Sequence, residues 1–240
     1  MKLKKFTPEL AEAIVDAGYD QFSAIQELAI PKIRSGADLF IIGEKGSGKS
    51  TALVMSIIQQ LKEAVEEAPR ALIVVNSKEK AYELEELFQL LGRNTNLRTF
   101  VVFDKGILQY QKNMIYEGLD ILIGTPKRID ELMSTTGIPM VKIRMLAFDD
   151  VDFMVTQLQQ KLIYRLVYAL PKVQTILLAE EWSERFDELE ERALKSPLIV
   201  ECEEDEEAGF SDEEEIDEEE IDEEIFDEEF SDEELLDDEE

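Results

Sequence analysis

Short apolar runs alternate with longer amphipathic stretches along the first 200 residues of this 240-residue chain. The short runs are rich in β-branched residues and are continuous rather than alternating, which is typical of strands buried on both faces of a sheet. They predict seven strands, at residues 38–42, 71–75, 97–102, 121–123, 145–148, 175–178 and 198–200.

The stretches between these runs have helical patterns. They predict eight helices, at residues 7–17, 23–34, 50–68, 78–91, 107–117, 126–133, 155–169 and 184–195. Such an alternation predicts an α/β fold, a mostly parallel sheet with helices on both faces, as one domain over residues 1–200. Ligands of this architecture bind at the carboxyl ends of the strands.

The segment GEKGSGKS at residues 43–50 lies between the first predicted strand and a helix, and it fits the Walker A template at every fixed position. Glycines allow successive backbone N–H groups to turn toward a phosphate at a helix N-terminus, Lys49 can reach the β- and γ-phosphates, and the Ser50 hydroxyl can bind Mg²⁺. The sequence therefore predicts an ATP site. Its expected contacts in this segment are Gly43, Gly46, Ser47, Gly48, Lys49, Ser50 and Thr51.

A phosphate-binding loop needs a carboxylate that holds Mg²⁺, usually at the end of another buried strand. The predicted strand at residues 145–148 is followed by Asp149, Asp150, Val151 and Asp152. An Asp cluster alone is most simply a solvated loop, but here it follows a buried strand in a chain with a phosphate-binding loop. Asp149 is the expected Mg²⁺ ligand beside Ser50.

Charge is distributed very unevenly along the chain. Of its 56 acidic residues, 27 lie in residues 201–240, which hold no Lys or Arg, so residues 1–200 carry 29 acidic against 25 basic residues. The first 200 residues therefore have an ordinary globular balance, while residues 201–240 are predicted to be a disordered acidic tail. Apolar residues recur in this tail roughly every five positions, as in acidic-hydrophobic interaction segments.

Several chemistries are excluded by composition. The chain has no histidine and one cysteine, Cys202, so an internal disulfide, a Cys/His zinc site and a Ser-His or Cys-His dyad cannot form within it. Its first ten residues, MKLKKFTPEL, lack the apolar stretch of a secretory leader, and no apolar run is long enough to span a membrane. A soluble, cytoplasmic protein is expected.

With these features the chain resembles the DEAD-box RNA helicases, specifically the first of their RecA-like domains. GYDQFSAIQ at residues 18–26 resembles the adenine-reading Q motif, within a region that spans residues 1–36, and implies that Gln26 contacts adenine. Residues 43–50 match motif I, GTPKRIDELM at residues 124–133 resembles the TPGR motif, and FDDVD at residues 148–152 stands where the family has DEAD. The resemblance implies RNA-backbone contacts from Thr125, Pro126 and Arg128.

The sequence departs from the family at several motifs. Asp150 replaces the DEAD glutamate that orients the attacking water, so the resemblance implies that Lys49, Asp149 and Asp150 are the catalytic residues. Ala-Glu-Glu at residues 179–181 replaces the SAT motif. Residues 76–81, NSKEKA, stand where the family has the PTRELA motif. They keep the hydroxyl residue, the basic residue, the Glu and the Ala of that motif, and they differ at the other two positions. The aromatic residue that stacks on adenine would be expected near residue 1, and Phe6 is too close to Gln26 to be its clear equivalent.

Nothing after residue 200 has the composition of a second RecA-like domain, which in this family contributes an arginine finger. Two functions therefore stay open. One is an ATP-binding, RNA-associated protein with weak or partner-dependent ATP hydrolysis and little autonomous unwinding. The alternative is a non-enzymatic, nucleotide-bound RNA- or protein-interaction module.

The acidic tail also has two interpretations. It is either a solubilising extension or a polyanion mimic that covers the RNA face near Lys127 and Arg128 or engages a basic partner. The expected partners are thus RNA, a protein that binds the tail, and a second RecA-like domain supplied in trans.

Overall fold

The computed structural model describes residues 3–65, 68–156, 159–170 and 172–201. The chain divides into one unit of residues 1–203 and a second of residues 204–240. Glu201, the first residue of the acidic tail, is described and is not disordered, since it ends the last strand of the sheet. Residues 202–240 lie outside the described residues, so the predicted disorder of the rest of the tail stays a prediction.

All seven predicted strands are present. They are β1 (Leu39–Ile42), β2 (Ala71–Val74), β3 (Thr99–Val102), β4 (Ile121–Gly124), β5 (Met145–Phe148), β6 (Gln174–Ala179) and β7 (Leu198–Glu201). Every strand pair is parallel, and the sheet order is β3-β4-β2-β5-β6-β1-β7. The predicted α/β fold with a parallel sheet is therefore confirmed.

Nine α-helices lie in the described part of the chain. They are α1 (Pro8–Asp16), α2 (Ala24–Arg34), α3 (Lys49–Leu61), α4 (Lys78–Leu91), α5 (Leu108–Glu117), α6 (Pro126–Ser134), α7 (Val151–Thr156), α8 (Gln160–Ala169) and α9 (Arg185–Ala193). Single 3-10 turns add Leu3–Lys5 and Met140–Lys142.

Two predicted helices were wrong in extent. The helix predicted over residues 50–68 ends at Leu61, because Lys62 has a φ of 63°, a left-handed conformation that cannot continue a right-handed helix. The helix predicted over residues 155–169 is two helices, α7 and α8, and α7 begins directly after Asp150.

The sheet separates two hydrophobic cores, because successive strand residues point to opposite faces. In β1, Leu39 and Ile41 pack into the core that α1–α4 cover, while Phe40 and Ile42 pack into the core that α5–α9 cover. Burial on both faces explains why the five central strands are continuous apolar runs in the sequence. Among the described residues, no helix is long and apolar enough to cross a membrane.

Candidate nucleotide-binding site

A cleft of about 860 Å³ lies at the carboxyl ends of β1 and β5, on either side of β6. It is lined by the loop after β1, the start of α4, the segment after β5 and the segment after β6. Gly43 N–H donates to the Ala179 carbonyl at 3.2 Å, which ties the loop after β1 to the end of β6. The parallel topology thus brings together motifs that are far apart in sequence.

The loop at residues 43–50 has the backbone that its glycines predict. Gly46 and Gly48 have φ values of 90° and 100°, in the left-handed region that glycine adopts without a steric penalty. Gly48 also lies against α2, since a Cβ there would be 2.5 Å from Gln26 Nε2. Gly48 is the N-cap of α3 and has no side chain to cap the helix, so the first-turn N–H groups are free to bind an anion.

Lys49 is only 7% exposed, and its ammonium group folds back onto the loop. It donates to the Gly43 carbonyl, and to the Glu44 carbonyl at 2.8 Å. Burial lowers the pKa of Lys49, and the neighbouring carboxylates, Asp149 first among them, oppose that shift. Phosphate oxygens bound in the loop would have to replace these two carbonyl contacts.

Ser50 and Asp149 are in direct contact. The Ser50 hydroxyl donates to Asp149 Oδ2 at 2.8 Å, and Asp149 is only 1% exposed. Burial raises the pKa of Asp149, Asp150 adds to that shift, and Lys80, the Ser50 hydroxyl and Lys49 oppose it.

A hydroxyl and a carboxylate at this distance fit the Mg²⁺ ion of a nucleotide complex, which takes one or two protein oxygens and completes its shell with phosphates and water. The described residues hold no cluster of three or more Asp, Glu, His or Cys that could bind a metal unaided. The donor set therefore fits a metal that arrives with phosphate.

Two residues that contact the carboxylates of Asp149 and Asp150 across the cleft were not among the expected site residues. Asn76 Nδ2 donates to Asp150 Oδ2 at 2.8 Å, and Lys80 Nζ lies 3.7 Å from Asp149 Oδ2. Asn76 and Lys80 are two of the positions at which residues 76–81 depart from the PTRELA motif, and Asp150 is itself a departure. Positions that depart from the family motifs thus contact the opposite wall of the cleft, which a sequence pattern alone cannot reveal.

The segment after β6 is also fixed to the Asp cluster. Glu180 N–H donates to Asp152 Oδ2 at 3.0 Å. The side chains of Glu180 and Glu181 are exposed at the rim of the cleft, where the SAT motif would be. Burial raises the pKa of Asp152, the N–H donors that it accepts from oppose the shift, and Glu180 and Asp150 add to it.

A second pocket, of about 680 Å³, lies beside α2. Its lining includes Gln26, Phe6 and Phe22, and the two phenylalanine rings meet edge to face at 5.8 Å. Gln26 Oε1 accepts from Ser23 N–H at 3.0 Å, and its Nε2 lies 3.5 Å from the Gly48 carbonyl. Phe6, which the sequence did not single out as a clear equivalent of the adenine-stacking aromatic residue, thus lines the same pocket as Gln26.

The three residues expected to contact RNA are buried. Thr125, Pro126 and Arg128 follow β4, and Thr125 and Arg128 are 5% and 3% exposed. Arg128 donates to Gln111 Oε1 at 2.8 Å and to the carbonyls of Asp104 and Gly106 at 2.7 and 2.9 Å. The Arg128 guanidinium therefore braces the loop after β3 in this conformation.

Trp182 and Phe186 form an aromatic cluster with Phe40. Phe186 is fully buried and stacks on Phe40 at 5.6 Å, while Trp182 meets both rings edge to face and is 37% exposed. Phe186 is therefore core, and Trp182 covers its edge.

This arrangement of fold and loop agrees with the comparison to known families. A family model described as DEAD/DEAH box helicase matches residues 23–179. The match covers more than half of the chain, so the chain belongs to the DEAD/DEAH box helicase family. The resemblance seen in the motifs is thereby confirmed.

Curated relatives are similar over most of this chain. The ATP-dependent rRNA helicase RRP3 of Lodderomyces elongisporus is 32% identical over 197 residues, which is 81% of this chain and 39% of the relative. Eukaryotic initiation factor 4A of Caenorhabditis elegans is 24% identical over 86% of this chain and 50% of its own length. The ATP-dependent RNA helicase DBP10 of Phaeosphaeria nodorum is 28% identical over 80% of this chain and 22% of its own length. The chain thus spans at most about half of these relatives.

Proposed function

We propose that this chain binds ATP together with Mg²⁺ in the cleft formed after β1, β5 and β6. The observation that carries the proposal is the 2.8 Å hydrogen bond from Ser50 to Asp149. It joins the first turn of an uncapped helix to a buried carboxylate that is 99 residues away in sequence. A phosphate-binding loop needs this pairing of helix N-terminus and acidic strand end.

The proposed contacts follow from this arrangement. Residues 43–51 would bind the phosphates, with Lys49 at the β- and γ-phosphates, and Ser50 and Asp149 would hold the metal. The chemistry that Mg²⁺ supplies when bound is neutralisation of charge on the phosphate oxygens. The pocket beside α2 would take the adenine, with Gln26 at its polar edge and Phe6 at its face.

Hydrolysis by this chain is proposed to be slow or dependent on a partner. Asp150, in the position of the catalytic glutamate, has a side chain one methylene shorter, and its carboxylate accepts a hydrogen bond from Asn76 at 2.8 Å. A misplacement near 1 Å costs about 10²-fold in rate. An arginine finger from a second RecA-like domain in trans would be worth about 10³–10⁵-fold.

An association with RNA is proposed from the family, since relatives are named as RNA helicases. The segment at residues 124–133 is the proposed contact. Because Arg128 is engaged with protein carbonyls, RNA would meet the backbone of this segment and the exposed Lys127. The acidic residues 201–240 are proposed to compete for this surface or to engage a basic partner.

The second candidate function is a nucleotide-bound interaction module without turnover. Two observations favour it: the hydrogen bond that holds Asp150 to Asn76, and the two exposed glutamates at residues 180 and 181. Carboxylates at that position would disfavour a polyanion such as RNA.

Phosphate release measured with and without single-stranded RNA separates the two candidates. The first predicts slow release of phosphate that RNA or a partner accelerates. The second predicts bound nucleotide in the purified protein and no release. Phosphate release at the rates of complete helicases, without a partner, would contradict both.

A further inference from the structure

Lys80 places a positive charge inside the proposed phosphate cleft. Its Nζ lies 3.7 Å from Asp149 Oδ2, and its side chain is 25% exposed. The same oxygen accepts the hydrogen bond from the Ser50 hydroxyl. One carboxylate oxygen therefore already has a cation at the place where the proposed metal ligands meet.

The position of Lys80 in α4 is unusual for a lysine. Ser77 caps this helix by accepting from Lys80 N–H at 3.1 Å, so Lys80 lies in the first turn. A cation there is unfavourable because helix N-termini carry a partial positive charge. The ion pair with buried Asp149 offsets that effect and keeps the ammonium in the cleft.

Lys78 offers a direct comparison two positions earlier. Its ammonium lies over the rings of Tyr82 and Phe103, 5.5 and 4.6 Å from their centroids. The same first turn therefore sends one lysine to the aromatic surface and the other to the carboxylate. Sequence composition alone would not distinguish these two lysines.

The charge balance explains why the second cation matters. A nucleotide brings several negative charges beside Asp149, which is almost completely buried and so is little screened by water or salt. Of the other cleft carboxylates, Asp150 and Asp152 are half-buried and accept hydrogen bonds from Asn76 Nδ2 and from Glu180 N–H, while Glu180 and Glu181 are exposed and screened. Asp149 is the most deeply buried of these carboxylates, so its charge is the least screened.

Resting on the ATP-binding function proposed above, we infer that Lys80 is a built-in counter-ion that replaces part of the role of Mg²⁺. The protein then retains nucleoside di- and triphosphates when divalent cations are scarce. Lysine and metal serve the same carboxylate oxygen, so the loss of either one is partly compensated by the other, and only the loss of both leaves the Asp149 charge facing the phosphates.

The test is a thermodynamic cycle in Mg²⁺ and Lys80, with affinity for a fluorescent ADP derivative as the readout. For each protein, the dissociation constant is measured in excess EDTA and in excess Mg²⁺. The constant in EDTA is divided by the constant in Mg²⁺, and this ratio is compared between the proteins. Charge-assisted contacts of this kind correspond to about 10- to 100-fold in affinity. We expect the ratio for Lys80→Met to exceed that of the wild type by about this factor.

Three further variants make the result specific. Lys80→Arg keeps the charge and should keep the wild-type ratio, whereas Lys80→Gln should behave like Lys80→Met. Lys78→Met removes a lysine from the same helical turn and should leave the ratio unchanged. Thermal melting shows whether each variant is folded.

The outcomes are distinguishable from failure of the parent proposal. If the wild type binds the ADP derivative in Mg²⁺ but both neutral Lys80 variants keep its ratio, the counter-ion inference is overturned and ATP binding stands. If the wild type binds no nucleotide under either condition, both proposals fail.

Discussion

We expect a substitution of Asp120 to lower the free energy of unfolding more than a substitution of an exposed, ion-paired carboxylate. Asp120 lies at the end of the sheet opposite the cleft. It precedes β4, is fully buried and accepts from Arg70 at 2.8 Å and from Arg98 Nε at 2.9 Å. Arg70 is only 4% exposed, so its charge depends on this carboxylate. Asp120→Asn leaves the guanidinium group of Arg70 buried without a counter-ion.

Breaking a buried ion pair by removing one partner costs about 3–5 kcal/mol. In a unit of this size, each kcal/mol lowers the melting temperature by about 2–4 °C, so a loss of about 6–20 °C is expected. The matched control is Asp130→Asn. Asp130 also pairs with an arginine, Arg165, but both side chains are close to half exposed, and such pairs contribute at most about 1 kcal/mol.

The pH dependence gives an independent check. Burial alone would raise the pKa of Asp120, but hydrogen bonds from Arg98 and Arg70 outweigh it and hold that pKa below its ordinary value. In the unfolded chain this carboxyl has a pKa of about 3.9. The stabilisation is therefore complete above that pH and is lost as the pH falls through the lower pKa of the folded protein. The difference between wild type and Asp120→Asn should therefore shrink below about pH 4.

Urea unfolding followed by circular dichroism measures these free energies of unfolding. If Asp120→Asn and Asp130→Asn destabilise the protein equally, or if the difference from wild type persists in acid, the reasoning about the buried pair is refuted.

Three predictions concern the cleft and the pocket beside α2. Gly48→Ala should destabilise the protein by about 1–3 kcal/mol in urea unfolding and weaken ATP binding, because the new Cβ would lie 2.5 Å from Gln26 Nε2 and the φ of residue 48 is 100°. Unchanged stability and unchanged ATP affinity would contradict this. Phe6→Ala should weaken ATP binding by about tenfold in calorimetry, since base stacking is worth about 1–3 kcal/mol, but should leave tripolyphosphate binding unchanged. Equal losses of affinity for both ligands would exclude a role of Phe6 in base binding. Asp150→Glu should raise the rate of single-turnover phosphate release by about tenfold or more, because the longer side chain brings the carboxylate closer to the attacking water. An unchanged rate would mean that the length of this side chain does not limit hydrolysis.

The sequence predicted the sheet well because its five central strands are buried on both faces and its two edge strands are also apolar runs. Every strand of the sheet was located, and the phosphate-binding loop fell between β1 and α3, because apolar runs and glycine spacing are local properties. The ends of elements were harder to predict. The break between α7 and α8 and the end of α3 at Leu61 depend on how the chain packs onto the sheet.

The site was predictable only where a motif defines it. The Ser50–Asp149 pair follows from two motifs, but the contacts of Asn76 and Lys80 depend on the start of α4 lying across the cleft from β5. The burial of Arg128 likewise depends on three acceptors in the loop after β3 and in α5. Such contacts join segments that no local pattern connects.

These contacts also change how the departures from the family motifs are understood. Asn76 holds Asp150, and Lys80 pairs with Asp149, so altered positions on one wall of the cleft match the carboxylates on the other. Each of these two departures therefore makes a polar contact with a carboxylate of the Asp cluster.

The central claim is that the cleft binds ATP through the loop at residues 43–51. Calorimetric titration of the whole chain with ATP in Mg²⁺ tests it directly, with Lys49→Ala and, as the matched control at the other end of α3, Lys62→Ala. The account predicts one saturable site per chain that Lys49→Ala abolishes and Lys62→Ala leaves intact. Binding that survives Lys49→Ala, or no saturable binding to the folded wild type, would contradict it.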